Sequence, residues 1–203
     1  MSAGRESLPG RRADRATAAW LGVGALALYL VTLCPTIFVE DSAEFSTAAA
    51  VLGVPHPPGY PLYTMLAGAF VRLVPLGDAG YRSNLFSAAC GALAVVALWV
   101  LLRRLAIGRL AALAAAICFA VGQTFWSQGL AAEVHTLNAL LLVGALLAVH
   151  AAAERPATGA FAATGLLVGL LVGHRNLNAL LVLGFPLELE LARRRAGAPP
   201  RLW

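Results

Sequence analysis

The sequence predicts an all-α integral membrane protein with about six transmembrane helices. Of its 203 residues, 60% are hydrophobic and the mean hydropathy is +0.77, whereas apolar residues make up about half of a soluble domain. The apolar residues form runs that approach the roughly 17–25 residues needed to cross a bilayer. All 15 basic residues are arginines, grouped between these runs. That pattern is typical of cytoplasmic loops and not of a nucleic-acid-binding surface.

The N-terminal segment, residues 1–16, is polar and arginine-rich and predicts a basic cytoplasmic tail. It leads directly into an apolar run at 17–38 that has no small-x-small cleavage site at its end. A cleaved signal peptide would carry such a site, so we expect an uncleaved signal anchor as the first transmembrane helix.

Six apolar windows predict the transmembrane helices, at 17–38, 83–102, 110–126, 133–152, 159–173 and 177–191. The segment 60–76 is also apolar and could be a seventh span. Charge decides between these topologies: if 60–76 lies along the surface, twelve of the fifteen arginines fall on the cytoplasmic side, as the positive-inside rule requires. We therefore expect an interfacial helix at 60–76, with Pro61 in its first turn and Arg72 reaching the headgroups.

This topology places a long loop, residues 39–82, on the outer face, together with shorter turns at 127–133 and 174–176. The chain divides into the tail 1–16, a multi-span membrane domain at 17–191 and a basic cytoplasmic end at 192–203. No terminating signal follows the last basic cluster, so we expect the N-terminal part of a longer protein. The three cysteines lack the spacing of a metal or disulfide site.

The outer loop begins with the one long polar interval of the sequence, which carries two carboxylates three positions apart, Asp41 and Glu44. In a helix they would share one face, and paired carboxylates are suited to acid–base chemistry. The alternative is a solvated loop in which Asp41 or Ser42 caps a short helix. We favour the catalytic interpretation, because the pair directly follows a predicted span and is held near the bilayer.

A histidine and a proline-rich turn follow in the same loop. Each proline fixes its own φ and biases the residue before it towards an extended conformation, so Pro57-Pro58-Gly59 is expected to hold His56 in one position. A lone histidine at a membrane surface can also be purely structural. The rigid turn favours a functional imidazole.

Further polar groups are expected on the outer face. Glu133 and His135 open the fourth predicted span, and Glu133 either caps that helix or faces a polar cavity. Cationic and amide groups in the outer turns bind either headgroups or a lipid-linked phosphate. These groups are His174, Arg175, Asn176 and, before the second span, Arg82.

Several blocks, taken in order, resemble the multi-pass family catalogued as domain of unknown function 2723, whose transmembrane protein 260-like members are protein O-mannosyltransferases within the GT-C superfamily. The resemblance covers about residues 20–190, and its most specific part is HPPGYPLY at 56–63. The other matching blocks are Asp41-Ser42-Ala43-Glu44-Phe45, Phe125-Trp126, Ala132-Glu133-Val134 and Leu137-Asn138. The sequence departs from the family pattern at Glu40, Ala43 and His135.

The resemblance implies the N-terminal part of a GT-C-like membrane glycosyltransferase. Such an enzyme transfers a sugar, mannose in the named members, from a polyprenyl-phosphate donor to a protein or glycan hydroxyl on the outer face. Asp41 would be the general base and Glu44 would orient it or the acceptor. Substrate and phosphate contacts would come from His56, Arg82, Glu133, His135, His174, Arg175 and Asn176.

Two other functions stay open from the residues alone. One is a multi-span transporter or proton-coupled carrier with Glu133 and His174 as relay groups, and the other is a non-catalytic lipid-sugar-binding subunit. No ligand spacing demands a metal, although a divalent metal bridging Asp41 or Glu44 and the phosphate is left open. We expect no nucleic-acid partner. We expect a bacterial inner (cytoplasmic) membrane protein whose active site faces outward.

Overall fold

A computed structural model of the chain describes residues 8–155, 157–182, 184–187, 190 and 194. Within these residues the chain is helical and contains no strand, so the all-α class is confirmed for them. The helices are α1 (Leu8–Val31), α2 (Asp41–Val51), α3 (Pro61–Leu73), α4 (Ala79–Arg104), α5 (Arg109–Val121), α6 (Gln123–Gln128), α7 (His135–Glu154), α8 (Thr158–His174) and α9 (Ala179–Val182), with a 3-10 turn at Asn176–Asn178.

Two of the described helices, α4 and α7, are long and apolar enough to cross a membrane, judged by length and composition alone. Helices α5 and α8 are apolar but shorter, with 13 and 17 residues. A membrane location is therefore indicated, whereas the six predicted spans are not confirmed. The last predicted span, 177–191, lies partly outside the described residues.

The first helix is shifted from its predicted position. The apolar run at 17–38 predicted one helix, but α1 begins at Leu8 and ends at Val31. Pro35 accounts for the early end, because proline has no N–H to donate and keeps Cys34 out of the helical conformation. An apolar pattern therefore continues beyond the helix itself.

The third predicted span is broken. The window 110–126 predicted one helix, but α5 ends at Val121 and the short α6 begins at Gln123. Gly122 between them has extended backbone angles (φ −59°, ψ 124°), and a Cβ there would lie 3.0 Å from the Cys118 carbonyl oxygen. Glycine suits this close passage because it has no side chain, and the helix stops there.

Helix α3 is short. Its 13 residues reach about 20 Å, less than the roughly 30 Å of a hydrocarbon core, and Pro61 lies in its first turn as predicted. Arg72, which we expected to reach the headgroups, instead donates to the carbonyls of Gly68, Ala49 and Ala50 at 2.8, 3.3 and 3.0 Å. It thereby satisfies free carbonyls at the end of α2 and fastens α2 to α3.

Helix α4 is the centre of the fold and packs against α1, α2, α3, α5 and α7. One face of α4 joins α1 and α5 in a core that includes Tyr29 and Trp99. Another core, which includes Phe45, Tyr63 and Phe86, joins α2, α3, α4 and α7. The beginnings of α2 and α7 therefore meet over the same helix.

The segment between α1 and α2 is tied to α4. The buried amide of Asn84 donates to the carbonyls of Cys34 and Thr36 at 2.9 and 2.8 Å. Gly80 permits this close approach, because a Cβ there would lie 2.6 Å from the backbone nitrogen of Ile37. The contacts fix the approach of the chain to the start of α2.

Candidate active site

The candidate site is built at the N-terminus of α2. The helix begins at Asp41, directly after Glu40, whose positive φ of 62° is uncommon for a residue with a side chain. Asp41 and Glu44 both lie in the first turn of the helix and are exposed. The predicted placement of the two carboxylates on one helical face is confirmed, and the helix dipole favours negative charge there.

Glu44 is paired with His56. Glu44 Oε1 accepts a hydrogen bond from the His56 backbone N–H at 2.7 Å, and Oε2 lies 2.7 Å from His56 Nδ1. The side-chain hydrogen bond is the main reason that the pKa of His56 is raised and the pKa of Glu44 is lowered from their ordinary values. Glu44 therefore orients His56 and favours its charged form.

The turn behind His56 is closed by a hydrogen bond from the Gly59 N–H to the His56 carbonyl at 2.9 Å. Gly59 has a φ of 88°, a conformation that glycine adopts readily. The imidazole also contacts the rings of Phe45 and Tyr60, with centroid distances of 5.5 and 5.6 Å. The proline turn and the two rings together limit the movement of the imidazole.

The same side chains could hold a metal ion. One donor atom each of Asp41, Glu44 and His56 lies within 4.8 Å of the other two. Two carboxylates and an imidazole suit a divalent cation. His56 can take part while its Nδ1 stays paired with Glu44, because the other ring nitrogen, Nε2, can ligate a metal.

Glu133 approaches this carboxylate cluster from a distant part of the sequence. It precedes α7 without capping it, since the N-cap residue is Val134 and makes no side-chain cap hydrogen bond. Burial, and after it the negative charges of Asp41 and Glu40, raise the pKa of Glu133 to about 7, against a smaller opposing effect of His56. Of the two interpretations left open by the sequence, the structure favours a carboxyl that faces the polar site.

The residues predicted around the later turns take different roles. Arg175 donates from Nη1 to Nδ1 of His135 at 3.2 Å, so these two residues meet although they lie 40 positions apart. His174 is buried and donates from Nε2 to the Val134 carbonyl at 3.1 Å, which ties the end of α8 to the start of α7. Asn176 is exposed and begins the 3-10 turn.

Arg82 is committed to the turn between α3 and α4. Its Nε, Nη1 and Nη2 donate to the carbonyls of Leu76, Val71 and Gly77 at 3.1, 3.0 and 2.8 Å. Three of the five N–H donors of the guanidinium are thereby engaged, which fixes its position at the turn and leaves two donors for the predicted phosphate contact. Arg82 closes a turn here, as Arg72 fastens α2 to α3.

Sequence reasoning passed over the small polar side chains that hold the site together. Ser42 and Ser87 are completely buried and bind the backbone around Glu133. The amide of Asn178 donates to Asn138 Oδ1 at 2.7 Å, joining the 3-10 turn to α7. A polar residue inside an apolar run is costly to bury without a partner, and that was the available signal. The hydrogen-bond partner of such a buried polar residue cannot be identified from the residues beside it in the sequence.

The chain matches the family model described as "Protein O-mannosyl-transferase TMEM260 N-terminal domain" over residues 41–195. It belongs to this family. The matched region begins at Asp41 and contains every residue that we predicted for the site. It also contains Ser42 and Ser87, whose contacts with the backbone around Glu133 were not predicted from the sequence.

Two curated relatives carry the same family name. The chain is 41% identical to Protein O-mannosyl-transferase TMEM260 of Mus musculus over 123 residues, which cover 61% of this chain and 17% of the relative. It is 25% identical to Protein O-mannosyl-transferase tmem260 of Dictyostelium discoideum over 120 residues, which cover 58% of this chain and 15% of that relative. The chain thus spans less than a fifth of either. No solved structure is significantly similar to it.

Proposed function

We propose that the full-length protein containing this chain is a membrane O-mannosyltransferase. It would transfer mannose from a polyprenyl-phosphate donor to a hydroxyl of a protein or glycan acceptor. The observation that carries this proposal is the convergence of Asp41, Glu44, His56 and Glu133 at the start of α2, inside the region that matches the mannosyltransferase family.

Six transmembrane helices, a GT-C-like fold and an outward-facing site belong to the same proposal. Helices α4 and α7 support a membrane location. The curated relatives named above come from eukaryotes. The bacterial inner membrane that we expected from the sequence therefore stays a prediction.

In the proposed reaction Asp41 is the general base. It lies exposed in the first turn of α2, where an acceptor hydroxyl can approach it. The acceptor oxygen forms a bond to C1 of the sugar while its proton passes to the Asp41 carboxylate. The bond between C1 and the phosphate oxygen breaks, and the lipid phosphate leaves with the electron pair.

The leaving phosphate gains negative charge, so cations near it lower the barrier. His56 suits this role because Glu44 raises its pKa and so favours the imidazolium form. Arg175 is the second candidate, since it is only partly buried and one of its nitrogens is held by His135. We assign His174 and Arg82 to structure instead, because their described nitrogen contacts are with backbone carbonyls.

A divalent cation held by Asp41, Glu44 and His56 would supply the same charge stabilisation at the phosphate. Transfer measured with a chelator, and again after Mn²⁺ is added back, tests this point. Loss on chelation and recovery with Mn²⁺ would assign the cluster to a metal.

The main experiment uses membranes that contain the full-length protein, with radiolabelled polyprenyl-phosphate mannose and an acceptor. We expect the parent to transfer label and Asp41→Asn to lose about 10²–10⁴-fold in rate, the usual contribution of a general base. The control is Glu154→Gln, which changes an exposed carboxylate at the other end of α7. We expect it to retain the parental rate.

Two results would overturn the proposal. Equal rates for Asp41→Asn and the parent would remove Asp41 as the base. Label that accumulates inside vesicles without transfer or hydrolysis would instead favour a carrier.

A further inference from the structure

A single serine of α4 binds both ends of the Glu133 main chain. Ser87 Oγ accepts a hydrogen bond from the Glu133 N–H at 3.1 Å and donates to the Glu133 carbonyl at 3.2 Å. Ser87 is completely buried. Because α4 is the most extensively packed of the described helices, this contact ties Glu133 to a rigid support.

A second buried serine makes a matching contact from α2. Ser42 Oγ accepts a hydrogen bond from the N–H of Ala132 at 3.2 Å. Ser42 directly follows Asp41 and Ala132 directly precedes Glu133, so the hydrogen bond joins the two acid-bearing segments. The backbone at 132–133 is therefore held from α2 and from α4 together.

The position matters because of the titratable groups around Glu133. Asp41 and Glu40 approach it from the start of α2, His56 from the proline turn, and the buried Tyr63 from α3. A carboxyl held among these groups can donate a hydrogen bond when it is protonated but can only accept one when it is ionised. Its position therefore affects what it can offer to a sugar or an acceptor.

We propose that Ser87 and Ser42 are positioning residues that hold the Glu133 carboxyl beside Asp41 through the main chain, and that they act on the reaction through Glu133. The catalytic part of this inference rests on the proposed function. The positional part does not, because the titration of Glu133 can be measured without any turnover.

The chain offers a matched control for each serine. Ser83 lies four residues before Ser87 on α4 and is equally buried, but its Oγ donates to the Ala79 carbonyl within its own helix. Ser46 lies four residues after Ser42 on α2 and is buried, and its hydroxyl has no hydrogen-bond partner among the described residues. Alanine at Ser83 or Ser46 therefore removes a buried hydroxyl without touching the backbone at 132–133.

The experiment follows the carboxyl infrared band of Glu133 against pH in the full-length protein, with the band assigned by its loss in Glu133→Gln. We expect Ser87→Ala to lower the titration midpoint by about one pH unit or more, because a released side chain moves into solvent and away from Asp41. Ser42→Ala should shift it in the same direction, whereas Ser83→Ala and Ser46→Ala should leave it in place. The pH dependence of mannose transfer should shift with the band.

An unchanged midpoint in folded Ser87→Ala would overturn the inference, and so would an equal shift in Ser83→Ala. If Ser87→Ala does not fold, Ser87→Cys replaces it, since it nearly keeps the volume but weakens both hydrogen bonds. If the serine variants shift the Glu133 band but the parent protein transfers no mannose, the proposed function is refuted and the positioning role is supported.

Discussion

Replacement of Glu133 by glutamine should stabilise the fold at alkaline pH and have little such effect at acid pH. The pKa of this carboxyl is about 7 in the folded chain against an ordinary value of 4.5. Because the folded value is the higher one, ionisation destabilises the fold. No penalty applies below pH 4.5, where both states are protonated; the penalty grows up to about pH 7 and is complete above it.

The size of this effect follows from the shift. At 1.36 kcal/mol per pH unit, a shift of about 2.5 units corresponds to an upper limit of about 3 kcal/mol. Glu133 is only half-buried, so solvent screening reduces the expected value to about 1–2 kcal/mol. Glutamine resembles the protonated carboxyl and removes this penalty.

Thermal or denaturant unfolding of the purified chain at pH 5 and pH 8 measures the difference. We expect Glu133→Gln to raise the free energy of unfolding relative to the parent at pH 8, and by clearly less at pH 5. Asp41→Asn is an internal control: it removes a charge that raises the Glu133 pKa, so the pH-dependent gain should shrink in that background. The same difference at both pH values would refute the burial argument.

Three further changes test the surrounding structure. Glu44→Gln should return the His56 pKa towards its ordinary value in an NMR titration, and an unchanged His56 midpoint would contradict the pairing. In the parent, the contribution of the Glu44–His56 pair to stability is lost as pH rises through the raised His56 pKa, and also as pH falls through the lowered Glu44 pKa. Asn84→Ala should cost about 1–3 kcal/mol in denaturant unfolding, because two buried hydrogen bonds are lost, and a neutral result would contradict the anchoring role. Gly80→Ala should destabilise the fold, because the new Cβ would lie 2.6 Å from the backbone nitrogen of Ile37. Gly24→Ala is the control, since a Cβ there meets open space and should be tolerated. Equal melting temperatures for the two variants would refute the close approach at Gly80.

Features that depend on neighbouring residues were predictable from the sequence. The spacing of Asp41 and Glu44 predicted one helical face, and the structure begins α2 at Asp41. The prolines after His56 predicted a rigid turn, since their φ angles are restricted in any surroundings. The position of Pro61 in the first turn of α3 was also predicted, because its fixed φ suits that place.

Helix ends were predicted less well. The apolar runs extended past Val31 and across Gly122, yet the helices stop at both places. Hydropathy averages over a window, whereas a helix stops where a single residue such as Pro35 cannot continue its hydrogen bonds. Of the six predicted spans, two correspond to described helices, α4 and α7, that meet the length and composition required, and the number six stays a prediction.

The sequence by itself determined the chemical character of the site: two acids on one helical turn, a restrained histidine and a resemblance to a mannosyltransferase family. Only the tertiary structure decided the hydrogen-bond partners. Glu44 binds His56, the main chain of Glu133 binds Ser87, and the guanidinium of Arg82 binds the carbonyls of a turn. The physical reason is the distance along the chain over which each interaction acts. Backbone restriction and helical spacing act within a few residues, whereas a hydrogen bond between groups 46 positions apart exists only because α4 and the start of α7 pack together.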